Sequence, residues 1–546
     1  MKKAAFILLL FGTLSAAAQE PWTEGMLYLT GASSVEELDQ STLDAYEYMH
    51  LHPLRLNQDS ERHLSKLLSP YQIASLSDYR HRCGDVLSPM ELALVDGFSQ
   101  EKVQALLHFV SFASSRLPGE AVDDTLRIRT NLQSRVDLRS AGMKARSHVG
   151  ESAEAGFAFR HYWEGGRSGT FYASVGSVII GDFNLRYGEG LLLWSGMQIN
   201  SYSTVDSYSR RGGGLSPSWS YTGDGTYRGF AGECSFGRFG AMAFVSGQGL
   251  GGRLSAMSRS GTYGLNLIAS PGSLRMSADV RRNIRGVDVF GEAGIDPLNW
   301  SWAAAGGTRI PISEDLDAAL RLGAVPSAWS GKSSGEYSLD AGIRHRGGKY
   351  VGIAGKSGFG SSERRSCLDV TARFRMIPIP LKAPDRREAK LQAGWAFRID
   401  SLVKLEERLV LRYRNYEPFR GEFRSDVRIS DGLMNYSARA HGSWCGGPGG
   451  LVYCEAGYTP GNWQLWLRGT MYRTSGWASR IYVYERDVTG SFSVPACYGR
   501  GGSVSLYGAW TGRLRHCRLK AAGRGYIDMK KPDITAGLRF FFSVDF

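Results

Sequence analysis

Charged residues set among glycines stand out first. In the run Gly181-Asp182-Phe183-Asn184-Leu185-Arg186-Tyr187-Gly188-Glu189-Gly190-Leu191-Leu192-Leu193-Trp194-Ser195-Gly196, Asp182, Asn184 and Arg186 alternate with Phe183, Leu185 and Tyr187. In an extended chain each trio takes its own face. Glu189 follows. Arg210 and Arg211 open a second stretch, Arg210-Arg211-Gly212-Gly213-Gly214-Leu215-Ser216-Pro217. Asp182, Asn184, Arg186, Glu189, Arg210 and Arg211 therefore form a candidate polar cluster. It has two open readings: an ion-pair network that stiffens an interior, or a constriction that selects solutes by charge. Glu485-Arg486-Asp487 allows the same two. The histidines at 148, 161, 345, 441 and 516 pair with no Gly-x-Ser-x-Gly elbow or His-Glu-x-x-His, so no catalytic residue is assigned. His50, His52, His63, His81 and His108 lack carboxylate or Cys partners at ligand spacing, and neither metal nor cofactor is expected. The seven cysteines fit no zinc or redox pattern. Cys445 and Cys454 flank Gly-Gly-Pro-Gly-Gly and could pair across it; otherwise they are small apolar side chains.

The elements that carry these residues change character along the chain. Beyond about residue 120 the hydrophobic period is two. In the last thirteen residues Ile534, Ala536, Leu538, Phe540, Phe542, Val544 and Phe546 make an apolar face. Thr535, Gly537, Arg539, Phe541, Ser543 and Asp545 make the other. A membrane strand needs ~9–11 residues. Trp463, Leu465 and Leu467 oppose Gln464, Trp466 and Arg468 in the same way, and Leu409 and Leu411 alternate less cleanly with Val410, Arg412 and Arg414. If Phe183, Leu185 and Tyr187 face lipid, Asp182, Asn184 and Arg186 face a lumen. Turn clusters such as Gly347-Gly348-Lys349 lie between. The reading is a mainly β chain, an antiparallel transmembrane β-barrel of roughly 20 strands (range 16–24) behind a small all-α domain. Glycine at 69 of 546 residues and aromatics at 12% fit, since tight turns want the one and interfacial girdles the other. Phe540, Phe542, Val544 and Phe546 form a candidate insertion signal, because a terminal aromatic on an amphipathic last strand resembles the one by which outer-membrane barrels are recognised.

Ahead of the barrel the period is helical: Leu64, Leu67 and Leu68; Ile73, Leu76 and Tyr79; Val103, Leu106, Leu107 and Val110. Ser69-Pro70 and Ser88-Pro89 each place a cap before a proline at the first helical position. Residues 34–110 carry twelve acids against six bases, a net −6, while residues 111–546 carry +19. Lys2 and Lys3, the apolar run Ala4 to Leu14 and Ala16-Ala17-Ala18 read as a secretory signal peptide. The expected division is a signal peptide over 1–18, a linker over 19–33, the helical domain over 34–112, a linker over 113–125 and the barrel over 126–546.

The helical segment resembles a tandem helix-hairpin-helix domain of the competence-related DNA-receptor type. The resemblance rests on His52-Pro53-Leu54-Arg55-Leu56-Asn57, Asp78-Tyr79-Arg80, Gly84, Leu87-Ser88, Met90-Glu91-Leu92 and Val95-Asp96-Gly97-Phe98. With the two stretches above, Tyr227-Arg228-Gly229, Tyr482 to Val488 and Phe492 to Gly501, the chain is similar to Bacteroidota outer-membrane barrels that carry such a domain. In that domain type a Gly-apolar-Gly turn holds a DNA phosphate through backbone amides. Here the first turn is Leu68-Ser69-Pro70-Tyr71. The second, with candidate residues Gly97, Phe98, Ser99 and Lys102, has Ser99 in place of the second glycine.

The resemblance implies location in the bacterial cell outer membrane with the helical domain in the periplasm. The expected function is a non-enzymatic barrel whose helical domain docks a partner or gates the lumen, in transport or envelope assembly. One alternative is a DNA uptake conduit, although the acidic domain and missing glycines disfavour DNA as a partner. The second is an outer-membrane hydrolase. Expected partners are outer-membrane lipid and lipopolysaccharide, the barrel-assembly machinery during insertion, and a periplasmic protein. The acidic domain could also sit against a basic mouth of its own barrel.

Overall fold

The computed structural model describes residues 21–546 except 33, 39, 60–63, 65–66, 115–127, 151–152, 196–204, 211, 259–260, 314–315, 331–334, 348–365, 378–385, 399–401, 431–432, 492, 515–516 and 531–532. The signal peptide and the glycine cluster 348–349 fall outside these residues.

The N-terminal unit is built from α1 (Pro21–Thr30), a 3-10 turn (Val35–Glu37), α2 (Gln40–Leu51), α3 (Pro70–Cys83), α4 (Pro89–Leu92) and α5 (Gln100–Leu106). Ser69 caps α3 through a capping box with Gln72, and Ser88 caps α4, each followed by proline. Leu64, Leu67, Leu68, Leu76, Val103 and Leu106 fill one core. A parallel pairing of Leu54 and Arg55 with Val110 and Ser111 ties the segment after α2 to the segment after α5. Asn57 locks the centre. Its amide nitrogen donates to the carbonyls of Val86 and Ala113, and its oxygen accepts from the Val86 amide. Residues 19–33 were expected to be linker, but α1 lies there, with Met26 and Leu29 buried in the same core. Trp22, Met26 and Leu29 repeat at helical spacing, over a stretch too short to stand out against the leader.

Residues 128–545 form one closed antiparallel barrel. The last strand, Asp533–Asp545, pairs with the first, Ile128–Asp137, so no sheet edge is left open. Twenty-four strands complete the ring, and the four-residue strand Gly214–Pro217 pairs beside Val178–Arg186. The number lies at the top of the expected range. The excess over twenty comes from hairpins closed by two residues on both rims. At Arg285-Gly286 both residues have positive φ, 53° and 88°, as a turn matched to strand twist requires.

The wall sorts side chains by face. Trp463, Leu465 and Leu467 are exposed on the outside, whereas Trp466, Arg468 and Thr470 are buried inside. Along the last strand Ile534, Leu538, Phe540 and Phe542 point outward and Phe541 and Ser543 inward. Because lipid solvates the one face and the lumen the other, the apolar set is the membrane face. Among the described residues no helix is long and apolar enough to cross a membrane. Cys445 and Cys454 are both free. Cys445 is buried and Cys454 exposed, and the hairpin register places Cys454 opposite Ala438 rather than Cys445.

Candidate functional site, a plugged and charged lumen

The chain enters and leaves the barrel at one rim, the terminal rim. The helical unit fills the lumen from that side, and charge holds it there. Near the rim Glu24 meets Lys404 at 2.8 Å, and Glu47 meets Lys520. Thr489 also donates to Glu47, at 3.0 Å. Arg518 donates to the carbonyl of Leu51, which closes α2. Deeper, the 3-10 turn reaches the middle of the wall, where Glu37 pairs with Arg408 at 2.7 Å. At the rim His52 also lies 3.6 Å from Asp545 of the last strand. The charge split in the sequence is thus an interface within one molecule: acids on the plug, bases on the wall.

Glu36 makes the most enclosed of these contacts. Its carboxylate accepts from Arg439 Nη1 at 2.6 Å and from the backbone amide of Tyr484 at 3.3 Å, and lies 3.7 Å from Arg424 Nη1. Asp426 holds the Nε of both arginines at 2.6 Å. Their outer nitrogens are therefore oriented by the wall, not by the plug. The Arg439 and Arg468 guanidiniums lie over the Tyr453 ring. Burial pushes the Glu36 pKa up, but Arg439 and Arg424 outweigh it and hold the carboxyl well below the usual carboxylate range.

Two long connections fold into the lumen from the far rim. The first contains part of the predicted polar cluster. Gly188 and Gly190 have positive φ, which turns the amides of Glu189 and Leu191 onto Glu292 Oε2 at 2.9 and 3.0 Å. Glu189 itself pairs with Arg321 at 2.7 Å, both deeply buried, and accepts from the Arg210 amide. The Arg210 guanidinium lies over Trp194. Asn184 and Arg186 line the same hairpin, Asn184 accepting from Ser195 Oγ and Arg186 donating to the Ser195 carbonyl. Asp182 stands apart, taking Arg228 Nε and Nη2 at 2.8 and 2.9 Å and the Phe171 amide. Arg211 lies outside the described residues. The expected orientation of this strand is corrected: Phe183 and Leu185 are fully buried in an inner apolar cluster with Tyr172, Leu193, Leu215 and Phe244. The inward-folded connection supplies Leu193 and Leu215 as an apolar cover, so the inner face is apolar here.

In the second connection Glu485 and Asp487 are bound by Arg524, and Asp487 also by Arg539. Arg486 stacks 3.7 Å over Trp466. A short pairing of Ile481 and Tyr482 with Ala496 and Cys497 shapes this loop.

The hairpin-turn residues sit in the helical unit. Gly97 turns at φ 86°, Phe98 is buried in the core, and Ser99 Oγ accepts from the Lys102 amide as the cap of α5. In the first hairpin Ser69 Oγ takes the Gln72 amide, and the Gln72 side chain donates to the Gly97 carbonyl. Phe540, Phe542, Val544 and Phe546 lie on the last strand and its end, with Val544 opposite Leu132 at the barrel seam.

Sequence reasoning missed Glu36, Glu37, Arg424, Asp426 and Arg439. A signal for the wall residues was present. Arg420, Glu422, Arg424, Asp426 and Arg428 alternate strictly, a charged ladder on one face of the strand Glu417–Ser430.

No protein-family model matches the chain, and no curated protein matches it in sequence. Solved structures that it resembles are large barrels. The siderophore receptor PirA from Pseudomonas aeruginosa aligns at TM-score 0.39 and 9% identity, over 77% of this chain and 80% of that one. The FrpB iron transporter from Neisseria meningitidis aligns at 0.38 and 8%, over 78% and 81%. Pseudomonas aeruginosa OccK5 aligns at 0.30 and 8%, over 77% and 96%.

Proposed function

We propose that this chain is an outer-membrane transport barrel, non-enzymatic, whose helical unit faces the periplasm and gates the lumen. One observation carries the reading: four acids of the plug, Glu24, Glu36, Glu37 and Glu47, are matched by wall bases from the terminal rim to mid-height. A plug fastened by charge can be released, because water replaces the lost partner at the rim pairs and a charged solute can replace it at the enclosed ones. Serine caps already engage the amides of Gln72 and Lys102, which favours gating over phosphate capture by these turns.

The test uses the full chain. Glu24→Gln, Glu36→Gln, Glu37→Gln and Glu47→Gln are combined, and conductance is compared with wild type in planar bilayers. The gate predicts a largely silent wild type and frequent large openings in the variant. A variant that inserts with the heat-modifiable mobility of a folded barrel and stays silent would overturn the reading.

A second role, docking of a periplasmic protein, is favoured by Leu87, Met90 and Leu94. These are large exposed apolar side chains of the helical unit, grouped around α4 with Asp96 exposed beside them. A partner with an apolar ridge flanked by bases fits this patch. Met90→Asp is expected to abolish its crosslink to the helical unit without altering conductance.

A further inference from the structure

We propose that the paired guanidiniums of Arg424 and Arg439 form a binding site for a carboxylate on the transported solute, occupied in the closed state by Glu36 as a built-in surrogate. The inference rests on the gating reading and names the class of solute that it handles.

Three observations carry it. Asp426 accepts from the Nε of both arginines at 2.6 Å, so the outer nitrogens stay aimed at one point whether or not the plug is present. The contacts on Glu36 come from three separate elements: the strands that hold Arg424 and Arg439, and the Tyr484 amide of the inward connection. One guanidinium hydrogen bond, a second guanidinium at ion-pair distance and a backbone amide make a donor set that suits a planar carboxylate. Finally, within this foursome two arginines balance Asp426 and Glu36, and removing Glu36 makes a buried place one charge more positive. Arg439 is 5% exposed and Asp426 2%. Vacating the site without a replacement anion leaves an uncompensated buried charge. A solute carboxylate that takes the place of Glu36 removes that penalty. Plug release is thereby coupled to the arrival of a carboxylate anion, while neutral or cationic solutes gain nothing from the exchange.

The site is tested by binding. Full-length protein carrying Glu36→Ala, in detergent micelles, is titrated with sodium acetate, and its thermal midpoint is compared with that in sodium chloride at equal ionic strength. Acetate is expected to stabilise Glu36→Ala with an apparent affinity at least about tenfold tighter than in wild type, where Glu36 fills the site. Adding Arg439→Gln is expected to abolish the effect. Acetate and chloride acting alike on Glu36→Ala would overturn the inference. Phosphate is the second probe, and stabilisation by phosphate alone would overturn the carboxylate assignment. If Glu36→Ala does not fold, Glu36→Ser, which also vacates the site, serves in the same titration under the same criteria. The two readings fail separately. A silent charge-removal variant sinks gating, whereas an acetate-blind Glu36→Ala sinks only the solute class.

Discussion

Glu36→Gln alone tests how the proposed gate is weighted. The substitution keeps the shape of the side chain and removes its charge. Two hydrogen bonds to an ionised carboxylate become neutral-acceptor bonds, and Asp426 remains as the counter-charge bonded to both Arg424 and Arg439. Hydrogen bonds to charged groups contribute about 1.5–3 kcal/mol each. Neutral ones contribute about 0.5–1.5 kcal/mol, so each of the two bonds loses roughly 1 kcal/mol and the substitution costs about 2 kcal/mol. At 1.4 kcal/mol per factor of ten, the closed-to-open ratio falls about 30-fold. The comparison is Glu47→Gln. Its pair with Lys520 lies nearer the rim, where both groups are more accessible, and partly exposed pairs contribute about 0–1 kcal/mol. Single-channel open probability in planar bilayers measures both. An effect of Glu47→Gln equal to or larger than that of Glu36→Gln would refute the argument that the buried mid-height pair dominates.

Three other outcomes follow. The depressed Glu36 pKa means that its contribution to closure is fully present above the ordinary carboxylate range and is lost as pH falls through the depressed value. Conductance should therefore stay low at pH 5 and rise only in strongly acidic buffer, and full opening by pH 5 would contradict the pairing. Burial pushes the Cys497 thiol up to about 12, whereas Cys83 is exposed on the helical unit; maleimide at pH 7 should label Cys83 and spare Cys497, as peptide mass spectrometry would show. Gly188→Ala places a Cβ 2.7 Å from Glu292 Oε2 at φ +63°, at a cost of about 1–3 kcal/mol, and should lower the thermal midpoint of the folded barrel.

The sequence exposes those features whose physics is local. Strand faces at 463–468 and 534–546 are read directly because lipid and lumen impose opposite polarity on alternate residues. Ser69-Pro70 and Ser88-Pro89 mark helix starts because caps act within one turn. The orientation of Phe183 and Leu185 could not be read that way. It depends on Leu193 and Leu215 folding back over them, which reverses the inner face from polar to apolar. Likewise Asp182 seemed to belong with Glu189, yet their partners are Arg228 and Arg321, on different strands. The charge split between the two parts of the chain was visible. Pairing within it was not, since Glu36 and Arg439 are some four hundred residues apart, and only closure of the ring brings them together.

Whether the helical unit occupies the lumen in the membrane is tested most directly by zero-length crosslinking. A carbodiimide joins a carboxylate to an amine only when the two are in contact. Intact outer membranes are treated, and crosslinked peptides are identified by mass spectrometry. The account predicts amide bonds between Glu24 and Lys404 and between Glu47 and Lys520, alongside the wall-internal bond between Lys404 and Glu406. Recovery of the Lys404–Glu406 bond without either plug-to-wall bond would contradict it.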